Sequence, residues 1–250
     1  NNSRISGRNQ HHGKPADTYG AQIVDGTSQS GPELRNPGVV GQTHEADSEI
    51  DSKDSCGQIE DDAGNKDTST GLQAASLKDM EPEATVAKVA PLFTANQKQS
   101  GILASVSLAQ FILESGYGKS ELAQNANNCF GMKSSLSGNS WSGSAWDGHS
   151  VYTLKTGEQN ADGSYVSITA DFRKYSSIAD SINDHSAYLL GAMNGSRKRY
   201  EGLAGCTDYK KAVQIIKDGG YATSLDYVQN LCRVIEQWNL TQYDVAVATT

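Results

Sequence analysis

Large apolar residues are scarce over the first eighty positions, and beyond them they recur with helical and then strand-like periods. Val86, Val89, Ala90 and Phe93 share one face, and Pro82 suits a first helical turn, so a helix is predicted from near Pro82. A turn at 97–100 leads into the most apolar stretch, Ser100 to Ser120. There Ile102, Val106, Ala109 and Leu113 form a stripe, widened by Leu103, Leu108 and Ile112. This predicts a mostly buried helix that carries Glu114 in its last turn and ends at Gly116 and Gly118. A short helix is predicted over 119–124. The period then changes to two over 149–154 and 164–172, with a turn at 157–163, which predicts a β-hairpin with a long tip. Ser176 or Ser177 can cap a helix reaching about Gly191, with Ile178, Ile182, His185 and Leu189 on one face. A further helix spans 208–217, with Ala212, Val213 and Ile216 inward, and ends at Gly219-Gly220. The last helix, about 224–238, buries Val228, Leu231, Val234 and Ile235. The elements describe an α+β fold: a helical lobe and a small hairpin lobe.

Composition changes this picture mainly at the N-terminus. Gly, Ser, Asp, Asn and Gln dominate residues 1–80, which read as a disordered, acidic linker or tail; residues 241–250 read as a second tail. The net charge of −8 over 250 residues argues against a nucleic-acid partner and against simple attraction to an anionic polymer. No apolar run is long enough to span a bilayer. The chain opens at Asn1 with neither Met nor a signal-peptide pattern, so it reads as a processed or truncated piece.

Candidate metal chemistry is weak. Cys56, Cys129, Cys206 and Cys232 contain no Cys-x-x-Cys pair, His11-His12 lack partners at ligand spacing, and the acidic run from Glu45 to Asp62 lacks calcium-loop spacing. No metal and no cofactor are expected. Cys206 and Cys232 could pair or remain free thiols, and Cys129 reads as packing.

Glu114 is the sharpest chemical candidate. A carboxylate at a helix C-terminus faces the negative end of the helix dipole, and burial adds a second penalty on its charged form. A carboxyl kept protonated in a cleft can act as the general acid that breaks a glycosidic bond. The competing reading is a frayed, solvated glutamate.

The wider string shifts the balance between these readings. Ala109-Gln-Phe-Ile-Leu-Glu-Ser-Gly-Tyr-Gly-Lys-Ser120, then Leu122-Ala123, then Asn127-Asn-Cys-Phe-Gly-Met-Lys133, resembles the endo-β-N-acetylglucosaminidase family of peptidoglycan hydrolases, glycoside hydrolase family 73. The resemblance runs to about Leu240. It implies a lysozyme-like domain over 81–240, with Glu114 as the catalytic acid. Thr156-Gly-Glu158 matches the family's Thr-x-Glu pattern, which implies that Glu158 is a second catalytic carboxylate; Asp147, Asp162 and Asp171 are rivals. Tyr221-Ala-Thr-Ser-Leu-Asp-Tyr227 resembles the family's Gly-Tyr-Ala-Thr-Asp segment and makes Tyr221 a third site residue, with a core tyrosine as the alternative. Asn127, Asn128 and Phe130 fall in a loop that the resemblance places near Glu114. Asn amides suit an acetamido group and a ring suits a pyranose face, but the same residues can simply pack. Trp141 and Trp146 are candidates for sugar platforms or core plugs. Family members often have Pro where this chain has Ala104.

The resemblance implies hydrolysis of the β-1,4 bond between N-acetylglucosamine and N-acetylmuramic acid in peptidoglycan glycan strands. The enzyme is expected to be monomeric and to act outside the cell or in the bacterial wall, as an autolysin, a phage enzyme or a mobile-element hydrolase. Rival readings are a lytic transglycosylase or muramidase on the same polymer, and a non-catalytic wall-binding module.

Overall fold

The computed structural model describes residues 71–136, 141–159, 165–222 and 224–246, with side chains outside 156–159 and 165–168. The tail predicted for the N-terminus, His11-His12, the acidic run 45–62 and Cys56 lie outside the described residues, except that the predicted tail's last ten residues fall within them.

The core is built around α2 (Ala104–Ser115). Ile102, Val106, Leu108 and Ala109 are fully buried, as their spacing predicts, and Phe111 is buried with them, whereas Leu113 is 44% exposed at the end of the stripe. α1 (Pro82–Ser100) packs against α2 and α4 (Ile178–Gly191), and α5 (Tyr209–Asp218) and α6 (Tyr227–Gln237) close the other side. Phe93 of α1 meets Phe111 of α2 edge-on, with ring centroids 5.6 Å apart.

Helix α2 has no capping side chain at its own start, because Leu103 precedes it. Its first N–H groups are met from a distance. Ala104 N donates to Gln97 Oε1 at 3.1 Å, a bond that a proline there could not make. Ser105 donates through N and Oγ to the two carboxylate oxygens of Asp244, each at 2.8 Å. The chain beyond α6 is therefore docked and not a loose tail as far as Val245, which exchanges hydrogen bonds with Gln97. Packing also begins earlier than Pro82. A 3-10 turn at Ala74–Leu77 buries both end residues in the same core.

Other boundaries shift for local reasons. α1 continues through 97–100, and the joint to α2 is Gly101–Leu103, opened by the left-handed Gly101. The short helix is α3 (Glu121–Ala126), capped by Ser120, whose side chain accepts from Ala123 N. α4 is capped by Ser177, one of the two serines expected there, and α5 by Asp208, whose side chain accepts from Lys210 N and Lys211 N.

Strands β1 (Val151–Gln159) and β2 (Tyr165–Arg173) pair antiparallel from Val151↔Arg173 to Gln159↔Tyr165. The expected turn at 157–163 is thus shorter, since Gly157 pairs within the ladder opposite Ser167. A two-residue pair, β3 (Met193–Asn194) and β4 (Arg197–Lys198), follows α4. A lone two-stranded ribbon is marginal in water. Here Tyr152, Leu154, Ala170 and Phe172 pack on Leu122 and Ala126 of α3.

A buried polar cluster ties the hairpin's base to α4. The Arg173 guanidinium lies 4.4 Å from the Trp141 ring centroid and 4.5 Å from that of Trp146. Its Nη1 reaches Asp184 Oδ2 at 2.9 Å. Asp184 also accepts from Tyr175 Oη at 2.6 Å, Ser144 Oγ at 2.5 Å and Trp141 Nε1 at 3.2 Å. Asp171, weighed as the member of a buried ion pair, is instead exposed and accepts from Thr153 Oγ1.

Candidate active site

Glu114 occupies the last turn of α2, where the helix stops abruptly. Gly116, Tyr117 and Gly118 all have positive φ, at 55°, 63° and 75°. Glycine tolerates this conformation, but tyrosine does not do so freely. The Tyr117 ring is braced edge-on against Trp238, with centroids 5.8 Å apart. Gly118 has a second reason to be glycine: a Cβ there would meet Leu77 Cδ1 at 2.9 Å. Ser115 closes the turn by donating to Phe111 O and accepting from Gly118 N.

The Glu114 side chain makes no hydrogen bond or ion pair among the described residues. It keeps some contact with solvent, yet burial pushes its pKa from 4.5 up to about 8. The carboxyl is therefore mostly protonated at neutral pH, and among the described residues no opposite charge pairs with it to reverse this.

Two tyrosines share its surroundings. Tyr221 and Tyr227 have phenols pushed well up, first by burial and next by the negative charge Glu114 would carry. Their rings stand 6.0 Å apart. Tyr227 Oη accepts from Gln110 Nε2 at 2.9 Å, and Gln110 lies one turn before Glu114 on α2. Tyr221 Oη lies 2.9 Å from His185 Nε2. Sequence reasoning named Tyr221 but passed over Gln110 and Tyr227. The i−4 spacing of Gln110 was the available signal; Tyr227 offered none, since only the fold of α6 onto α2 brings it near.

The remaining candidates divide. Asn127, Asn128, Phe130 and Trp141 are buried. Asn127 is the left-handed C-cap of α3, and its amide hydrogens go to Gln73 Oε1 and Tyr175 O while its oxygen accepts from Ala74 N. Asn128 donates to Met132 O and Arg173 O and accepts from Met132 N. Both amides brace the chain and have no donor left for an acetamido group. Phe130 stacks on His185 with centroids 4.0 Å apart and 7° between planes, so its face is covered. Trp141 packs on Tyr188 and under Arg173, as a core plug. These four placements correct the expectation of sugar contact. Trp146 is half-buried, with Nε1 donating to Ser150 O. Glu158 lies in β1 opposite Val166, in a strand and not in a turn; its side chain lies outside the described residues. Of the rival carboxylates, Asp147 is exposed and held near a pKa of 2 by bonds from Ser150 and His149, and Asp162 lies outside the described residues. Among the described residues, no His, Cys, Asp and Glu cluster could hold a metal ion.

Comparison with known proteins adds independent weight. The chain is 37% identical over 143 residues to exo-glucosaminidase LytG of Bacillus subtilis strain 168, covering 57% of this chain and 46% of that protein. It is 30% identical over 169 residues to peptidoglycan hydrolase FlgJ of Pseudomonas aeruginosa, covering 66% and 38%. The chain therefore spans less than half the length of either relative. The catalytic domain of the autolysin Auto from Listeria monocytogenes superposes with a TM-score of 0.56 at 30% identity, covering 65% of this chain and 87% of that one. The family described as mannosyl-glycoprotein endo-beta-N-acetylglucosaminidase matches residues 90–240. A helical lobe with a small hairpin, a half-buried carboxyl ending its central helix and this match lead to one assignment: the chain belongs to the glucosaminidase family of glycoside hydrolases.

Proposed function

We propose that this chain hydrolyses the β-1,4 bond between N-acetylglucosamine and N-acetylmuramic acid in bacterial peptidoglycan. It acts as a monomer at the cell wall and needs no metal or organic cofactor. The observation that carries the reading is the half-buried, unpartnered carboxyl of Glu114, with its pKa raised to about 8. Such a group holds a proton at neutral pH and can release it to a leaving glycosidic oxygen.

Glu158 is the second carboxylate in this reading, either activating water or stabilising the oxocarbenium-like charge. In this reading Tyr221, whose ring is buried, presents only its hydroxyl, beside Glu114, to the reacting sugar's acetamido group. The names of the relatives LytG and FlgJ, a glucosaminidase and a peptidoglycan hydrolase, support the polymer and the sugar.

Reducing-end analysis of digested peptidoglycan tests the proposal. The expected products carry N-acetylglucosamine at the new reducing end, and Glu114→Gln abolishes their release. New N-acetylmuramic acid ends would make the chain a muramidase, anhydro ends a lytic transglycosylase, and undiminished lysis by Glu114→Gln would remove the acid assignment.

A further inference from the structure

His185 is a buried histidine of α4 that the mechanism above leaves without a task. Its ring is fully enclosed, stacked flat on Phe130 and edge-on to Tyr221. Nε2 lies 2.9 Å from Tyr221 Oη, and Nδ1 has no hydrogen-bond partner among the described residues. Burial pushes its pKa down to about 3, so the ring is neutral and carries one N–H.

That proton has two possible positions, and they leave different debts inside the protein. With hydrogen on Nδ1, a buried N–H donor would be orphaned, which native interiors rarely tolerate. With hydrogen on Nε2, only a bare lone pair at Nδ1 goes unpaired. The Nε2–H then donates to Tyr221 Oη, whose own hydrogen must turn elsewhere. Tyr227 and the Glu114 side lie next to Tyr221.

We propose that His185 is a positioning residue: locked by Phe130, its Nε2–H occupies the acceptor side of Tyr221 Oη and so turns the Tyr221 O–H toward the substrate beside Glu114. This rests on the reading of Tyr221 given under the proposed function. It gives the Phe130–His185 stack a role in aiming a hydroxyl in addition to filling the core. No bond is made or broken at His185, and its proton stays on Nε2 throughout turnover.

The test has a spectroscopic arm and a kinetic arm, both on the full chain. Nitrogen-15 shifts of the wild-type imidazole should show a neutral ring protonated at Nε2. A ring protonated at Nδ1, or at both nitrogens at neutral pH, overturns the inference even if every variant fails to fold. In the kinetic arm, His185→Phe should lower kcat by roughly tenfold or more with KM little changed, because aim and not binding is lost. His185→Gln, which keeps a donor near Nε2, should recover turnover relative to His185→Phe. The His185→Phe, Tyr221→Phe double variant should be no slower than Tyr221→Phe alone, since the histidine acts only through that hydroxyl. Losses that multiply would mean packing alone and would overturn the proposal. Failure of the underlying reading is visible separately: Tyr221→Phe at full turnover would remove the role of Tyr221, and with it this one.

Discussion

Arg173 Nη1 and Asp184 Oδ2 lie 2.9 Å apart, with side-chain exposures of 1% and 0%. The guanidinium between two indoles and the four donors on Asp184 satisfy both charges inside the protein. Removing one partner leaves the other buried and uncompensated. Asp184→Ala should therefore lose about 3–5 kcal/mol of stability, read by denaturant unfolding. Asp171→Ala, on the exposed hairpin face, should stay within about 0.5 kcal/mol of the wild type.

Activity should fall as pH rises through about 8, following a single proton. The burial that raises the Glu114 pKa sets this limb, because the deprotonated carboxylate has no proton to donate. A kcat/KM profile on soluble glycan fragments checks it. A descending limb centred near pH 5 would show that the carboxyl is better solvated in solution.

Glu114 should also make the fold less stable in alkali. Its folded-state pKa, about 8, lies above the ordinary value of 4.5, so the native state binds the proton more tightly than the unfolded chain. Below about pH 4.5 both states are protonated and the group changes nothing. Between 4.5 and 8 stability declines with pH, and above 8 the loss is complete. Glu114→Gln avoids this penalty. It should match the wild type at pH 4 and exceed it at pH 9 by on the order of 1–3 kcal/mol, after discounting for the group's remaining solvent contact. Thermal melts at the two pH values decide the point.

Reductant should leave the melting temperature unchanged. Cys129, Cys206 and Cys232 are free thiols, so the pairing considered for Cys206 and Cys232 is not formed. Burial pushes the Cys129 thiol up to about 12, which leaves little reactive thiolate. Thiol titration of the unfolded chain gives the count, and melts with and without dithiothreitol give the stability.

Gly118→Ala should damage the site more than its size suggests. The added methyl meets Leu77 and Phe111 at a backbone φ of 75°. Strain and overpacking together should cost about 2–4 kcal/mol and displace the turn after Glu114. Gly116→Ala faces open space and pays only for its positive φ, about 1 kcal/mol. Comparing the two by chemical denaturation separates sterics from conformation.

Much of the helical lobe was legible because the long helices carry their own periodic stripes and α4, at Ser177, its own cap. The position of Glu114 at a helix end was legible for the same reason: apolar stripe and glycine punctuation are both local. What escaped was non-local. Asn127 and Asn128 look like free amides in the sequence, and only the fold brings Gln73, Tyr175 and Arg173 to them. Trp141 sits in a Gly- and Ser-rich stretch that suggests exposure, yet Asp184 and Tyr188 draw it inward. Gly157 suggested a turn because its backbone freedom is visible in the sequence while its pairing with Ser167 is not.

The bond from Ser105 to Asp244 has a consequence for the order of assembly. The rod that carries Glu114 at one end is fastened at the other by a residue encoded 139 positions later. A ribosome that has delivered Glu114, Glu158 and Tyr221 has thus not yet delivered the clasp. The nascent enzyme stays unfinished until that aspartate emerges.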